Sequence, residues 1–428
     1  MTSEEEARAA AKLLVPHGEL GVPLPAYGGR SLPNVVSSTV ESLGIDVAGD
    51  PPLLPPLAKD LDPFHGRRAE GPIVLFLVDA LPWIPPTEPG VRSPNGYPPS
   101  WNARSRAITT VFPTTTTVAL ASLSTAESPG RHGVVGHRVY LPMFGAVTEI
   151  LRMAPSGVGT VDAFAGPEWT PSIVSGVPSI FRRGVPGVAL TRDKFEPTSF
   201  TRMIYDGAAF TGFSTAAEFA HLLAELLSRA TPPPLIYAYW DELDTVQHLR
   251  GPRPEFAAFE SAQVAHVLRA AAAQMDPALA RRTTVLLTSD HGQVPSSKAE
   301  DIRLEREPAI SAHLARPPSG DRRAAFLTAR QGHVEALSSA LNDRLPKGSK
   351  VVPMQSAVDA GLFGPPPFHP ELSERLGDLL VLVPSPATVS YHLPGSRAPT
   401  RYLVGAHGGL EPQELLVPFV AGSLSELG

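Results

Sequence analysis

Thr283–Gly292 reads TTVLLTSDHG, and Gly71–Ala80 reads GPIVLFLVDA. Each is a short Val/Leu run that stops on acid or histidine: Asp79 in one, Asp290 and His291 in the other. A strand buried on both faces looks like this, and open α/β sheets carry their chemistry at the carboxyl ends of such strands. Two more segments follow the pattern. Pro234–His248, PLIYAYWDELDTVQH, brings Asp244 and His248, and Arg401–Gly409, RYLVGAHGG, brings His407. Asp244 and His248 lie four apart, so on a helical turn they share one face. Alone, each residue has a bland reading: a helix cap for Asp79, a satisfied core histidine for His407. Together, three Asp and three His delivered to one sheet edge predict a two-metal site.

The helices support an α/β reading. Ala216–Arg229 and Pro254–Met275 carry apolar residues at helical spacing, including Phe219, Leu223 and Leu227 in one and Phe256, Phe259, Val264 and Leu268 in the other. Each precedes a ligand-bearing strand, which gives a strand–helix–strand rhythm. The expected architecture is a mostly parallel central sheet flanked by helices. Residues 1–70 are a lead-in with a helix over Glu4–Leu14, and the core comprises 71–294 and 396–428. Between them 295–395 changes texture and reads as an inserted, smaller α+β subdomain. AAFLTA (324–329) and DLLVLVP (378–384) are its strands, and His333–Leu345 its helix. Such an insertion returns beside the crevice, so its exposed residues, Arg322 and Arg323 among them, are expected to shape substrate choice. Residues 136–210 give only short strand-like pieces between Gly and Pro.

Composition narrows the function. The 428 residues are 43% hydrophobic and 18% charged, which suits a packed globular protein. A net charge of −6 offers no basic surface for nucleic acid. The chain has no cysteine, which excludes disulfides, thiolate metal sites and cysteine nucleophiles. The acidic start, MTSEEEARAAAKLL, lacks signal-peptide features, and no apolar run has the ~18 residues of a membrane span, so a cytoplasmic protein is expected. The 48 prolines cluster in rigid loops such as 51–56 and 365–367.

A candidate nucleophile lies in VFPTTTTVALASLSTAE (111–127). Four threonines precede a small-residue helical stretch, and a threonine at a helix N-terminus sits beside free backbone N–H groups that also bind phosphate oxygens. An ordinary N-cap is the bland alternative. Threonine becomes a nucleophile when a metal lowers its pKa.

The order of these segments resembles the type I phosphodiesterase/nucleotide pyrophosphatase family of the alkaline phosphatase superfamily. A strand ending in Asp79 comes first, then F-P-T-T-T, HGVV (132–135), Asp244-x3-His248-x2-Gly251, Asp290-His291-Gly292, and a late His407-Gly408. The resemblance spans roughly 71–420. It implies an alkaline-phosphatase-like fold and two zinc ions, one held by Asp79, Thr116, Asp290 and His291, the other by Asp244, His248 and His407. It makes Thr116 the nucleophile of a phospho-threonine mechanism, with Thr115 and Thr117 the alternatives if the register slips. Two Zn²⁺ against three Asp leave such a site near +1, which suits a small anionic, phosphorylated substrate.

The chain also departs from the family. Thr117 stands where nucleotide-cleaving members carry an aromatic, and His137 where they carry a phosphate-binding Asn. His137 is therefore the candidate substrate contact, and nucleotide specificity is open. Phosphomonoester or phosphonate hydrolysis on the same core, or an inactive binding module, are the other readings; the complete ligand set argues against the last. A sulfatase signature and the Ser nucleophile of a related mutase are not found.

Overall fold

The computed structural model describes residues 3–47, 52–85, 96–157, 160–166, 168–393 and 401–428. Its central sheet has seven strands in the order Arg106–Thr109, Leu416–Ser423, Thr284–Thr288, Ile73–Val78, Leu235–Trp240, Gly187–Arg192, Ala209–Phe213. Five neighbouring strands run parallel, from Thr284–Thr288 to Ala209–Phe213. Leu416–Ser423 is antiparallel to both of its neighbours. The chain thus has the α/β architecture expected, a largely parallel sheet flanked by helices.

Strand alternation divides this sheet between two cores. Ile73, Leu75 and Leu77 enter one cluster with Leu235, Tyr237, Tyr239 and Leu286. Val74, Phe76 and Val78 enter the other with Ile236, Ala238, Trp240, Val285 and Leu287. Both faces are therefore apolar, which is why the runs read as continuous rather than alternating. Helices Ala216–Leu227 and Pro254–Ala272 cover the second face, where Phe219 packs against Phe76, Phe213 and Trp240. Phe259, grouped with the core residues of its helix by spacing, is 68% exposed and lies off the buried stripe.

The first face is covered by helices Leu32–Leu43 and Thr116–Thr125 and by a second, antiparallel seven-stranded sheet. That sheet runs Lys350–Pro353, Leu379–Leu382, Ala324–Leu327, Ser319–Gly320, Arg138–Leu141, Ala146–Glu149, Ala154–Pro155. Residues 295–395 supply four of these strands, and the stretch just after HGVV supplies the other three. The smaller sheet is therefore not built from 295–395 alone. The bond between the two parts is the Gly320–Arg138 pairing, where Gly136 and Gly320 approach so closely that a Cβ on Gly136 would lie 2.8 Å from the Gly320 Cα. One face of this sheet joins the first core through Val139, Phe326 and Leu380; the other packs on Leu337 and Leu341 of helix Val334–Arg344. The stretch 136–210, which gave only short strand-like pieces, holds the central-sheet strand Gly187–Arg192 and the start of Ala209–Phe213.

Candidate active site

Asp79, Asp290, His291 and His407 stand just beyond the ends of strands, Asp244 and His248 lie on the helix that follows Leu235–Trp240, and Thr116 opens a helix of its own. Asp79 directly follows Ile73–Val78, and Ala80 then takes a left-handed φ of 59°. That turn aims the Ala80 N–H at Asp290 Oδ1, 3.0 Å away, and the His291 N–H reaches the same oxygen at 3.0 Å. Asp290 Oδ2 is left buried without a partner, as is Asp79 Oδ1, while Asp79 Oδ2 accepts from the Tyr239 hydroxyl. Two buried carboxylate oxygens without donors are costly unless a cation meets them.

Asp244 and His248 share one face of helix Glu242–Arg250, with His248 Nε2 3.3 Å from Asp244 Oδ1. His407 stacks on His291 with ring centroids 3.9 Å apart, and His248 lies 5.1 Å from His407. Ligand atoms of Asp244, His248 and His407 fall within 4.8 Å of one another, and so do those of Asp79, Asp244 and His291. Asp244 is thus the carboxylate between the two groups.

All three histidines are oriented alike. Nδ1 of His248 faces the Gly405 carbonyl at 2.9 Å, that of His291 the Gly292 carbonyl at 3.1 Å, and that of His407 the Thr114 carbonyl at 3.1 Å. A carbonyl only accepts, so the proton sits on Nδ1 and Nε2 presents its lone pair to the cluster, as metal-binding histidines require. Burial, with His291 and His248 nearby, pushes His407 well below the usual histidine range and keeps it neutral. Burial and the charges of Asp290 and Asp244 push Asp79 far above the carboxylate range. Three crowded carboxylates beside three imidazoles form a donor set that fits divalent cations.

The threonine run is sorted by its contacts. Helix Thr116–Thr125 begins at Thr116, with Thr115 as its cap. Thr114 donates to the Gly409 carbonyl at 3.0 Å and Thr117 to the Gly136 carbonyl at 3.0 Å. Thr116, 9% exposed, places Oγ1 3.0 Å from His291 Nε2. Its hydroxyl joins the cluster, and those of Thr114 and Thr117 fasten the backbone around it.

His137 is half-buried where the chain enters the smaller sheet. Burial, with Arg138 beside it, holds its pKa below the usual value although Asp321 acts the other way. Two supporting residues escaped the sequence reading. Gln293 Nε2 donates to Asp244, and Tyr239 to Asp79. The signals were present: Gln293 directly follows Asp290-His291-Gly292, and Tyr239 is a polar-tipped residue at the end of an apolar strand.

The chain belongs to the type I phosphodiesterase/nucleotide pyrophosphatase family, whose model matches residues 102–410. That membership makes it a phosphoester hydrolase. Among solved structures it resembles murine ectonucleotide pyrophosphatase/phosphodiesterase 5 at 15% identity and a TM-score of 0.60, over 82% of this chain and 88% of that one. An inactive form of the murine protein was solved with AMP. The chain also resembles phosphonoacetate hydrolase from Sinorhizobium meliloti 1021 at 15% identity and a TM-score of 0.54, over 84% and 92% of the two chains. Comparison with curated proteins gives no match. No helix among the described residues is long and apolar enough to cross a membrane.

Proposed function

We propose that the protein is a two-metal hydrolase that cleaves phosphodiester or nucleotide pyrophosphate bonds through a phospho-threonine at Thr116. The observation that carries this reading is the single constellation of Thr116 Oγ1, His291 Nε2 and two partnerless buried oxygens on Asp79 and Asp290. Asp79, Thr116, Asp290 and His291 would hold one cation, and Asp244, His248 and His407 the other; nitrogen and oxygen donors in such sets suit zinc. When bound, the cations supply Lewis-acid activation of oxygen and neutralise phosphate charge.

The rest is the work of the chain's own residues. Thr116 and Thr117 open their helix, and their backbone N–H groups would be the ones available to a phosphate at Thr116. Thr116 Oγ1 loses its proton to solvent and attacks phosphorus as the bond to the leaving oxygen breaks in line. The leaving alkoxide takes a proton from water. A second water then breaks the phospho-threonine and restores the hydroxyl. Tyr239 and Gln293 fix Asp79 and Asp244 throughout.

A second reading has its own support. Thr117 is turned to the Gly136 carbonyl and offers no ring for a base, and His137 stands where a neutral amide is usual. A smaller substrate, a phosphomonoester or a phosphonate, suits that arrangement. The test is the zinc-loaded protein on a nitrophenyl nucleotide diester against nitrophenyl phosphate. A diester preference at pH 8, lost completely in Thr116→Ala with metals retained, supports the proposal. Wild-type turnover in Thr116→Ala, or in protein stripped of metal, refutes it.

A further inference from the structure

Arg323 was expected at an exposed position, where it would touch substrate. Its side chain is 1% exposed, and it faces away from solvent toward two carboxylates, Glu414 and the partly exposed Glu411. Nε donates to Glu414 Oε1 at 2.7 Å, and Nη2 donates to Glu414 Oε2 at 3.1 Å and to Glu411 Oε1 at 2.7 Å. Glu414 is itself fully buried.

What Glu414 does with its other bonds gives the group a purpose. Its Oε1 also accepts from the Gly409 N–H at 2.8 Å, two residues after His407. Its main-chain carbonyl accepts from the Gly292 N–H at 3.2 Å, one residue after His291. One residue therefore grips both of the loops that end the histidine-bearing segments. The grip is tight. A Cβ on Gly409 would lie 2.7 Å from Glu414 Oε2 and 3.2 Å from Arg323 Nε, so the loop needs glycine there. Gly409 in turn gives its carbonyl to Thr114 Oγ1 at 3.0 Å, and the Thr114 carbonyl fixes the His407 ring. Arg323 directly precedes the strand Ala324–Leu327 of the smaller sheet, so the connection runs from that sheet into the loops that follow His407 and His291.

We infer that the buried Arg323–Glu414 pair is a positioning device that sets the His407 loop for metal binding, so that the smaller sheet governs cation affinity at one of the two sites. The inference rests on the two-metal reading above. A buried ion pair is weak evidence for stability in its own right, because desolvation offsets the attraction. Retaining one here makes sense if its fixed geometry is what the loop uses. Partners behind a metal ligand typically change affinity about 10–100-fold when removed.

The experiment is titration of metal-free protein with zinc in competition with a chromophoric chelator, resolving two dissociation constants. His407→Ala identifies which step belongs to that site. Glu414→Gln and Arg323→Met are expected to weaken the same step about 10–100-fold and leave the other within about threefold. Arg323→Lys keeps the charge but not the fork, and should fall between. A single substitution strands a buried charge and threatens folding, so the double variant Arg323→Met/Glu414→Gln is measured as well, together with the melting temperature of each metal-free protein. A purely structural role would lower melting temperature without moving either zinc constant, and that result overturns the inference. A folded double variant that binds both ions as wild type does overturns it too. If wild type takes up no zinc, the two-metal reading itself falls; the two failures are therefore distinct.

Discussion

Asp79→Asn separates the cost of the site from its use. Asp79, buried, and Asp244, half-buried, place carboxylate oxygens within 4.8 Å of each other. At that separation and an effective dielectric of about 20, two ionised carboxylates repel by roughly 3.5 kcal/mol, a cost that folding at pH 8 meets either as repulsion or as the proton that Asp79 takes up. Asparagine keeps an oxygen to accept from Tyr239 and puts an amide N–H₂ where Asp79 Oδ1 now has no partner. Asp290 Oδ2, also buried without a partner, is the acceptor offered to that amide. The substitution should therefore stabilise the metal-free protein by about 2–3 kcal/mol at pH 8. With an unfolding entropy of about 2.1 cal/mol/K per residue, that gain raises Tm by roughly 2–4 °C. In excess zinc the order reverses. Wild type gains about 4 kcal/mol per site at a thousandfold excess over Kd, and the variant loses much of that gain. Calorimetry with chelator and with zinc measures both effects. A variant that melts below wild type in chelator, or that keeps the full zinc-induced rise, would show that these carboxylates are not held together for a cation.

His137→Asn should move the kcat/KM ratio toward the diester by about tenfold; an unchanged ratio would take His137 out of the phosphate site. Glu127, buried beside Arg131, has its carboxyl pushed up to about 7 by burial. It binds its proton longer folded than unfolded, so stability falls as pH rises from about 4.5 to about 7. Relative to wild type, Glu127→Gln should gain up to about 3 kcal/mol across that window, read by urea melts at pH 5 and pH 8. Phe219→Ala removes a ring packed among Phe76, Phe213 and Trp240 and should cost about 3–5 kcal/mol in urea unfolding without changing zinc stoichiometry.

The central sheet was readable because its strands are apolar on both faces and end on polar residues, a contrast that survives without neighbours. Asp79, Asp290 and His291 stood out for that reason. The Gly187–Arg192 and Ala209–Phe213 strands did not: the first ends in Thr191-Arg192 and the second, AFTGF, is half-exposed along an edge, so neither gives a long apolar run. The smaller sheet was read as local to 295–395 because sequence shows texture and not partners. Its pairing with Arg138–Leu141 depends on a glycine-to-glycine approach that no periodicity reports. Arg323 was misplaced for a related reason. An arginine in a charged segment looks solvated until its two carboxylates, Glu411 and Glu414, arrive from far along the chain.

The antiparallel strand Leu416–Ser423 sits between Arg106–Thr109 and Thr284–Thr288. On the ribosome, its two neighbours are synthesised long before it. Until it arrives, each of them presents an unpaired edge, and the sheet exists as two incomplete pieces. His407 and Glu414 emerge just ahead of this closing strand, so the donor cluster is assembled in the same event that seals the sheet. Nascent chains halted before residue 416 would then expose two open edges that invite wrong pairing. The sheet thus stays open for as long as the stretch between the Asp290-His291 turn and the strand that completes the fold takes to be made.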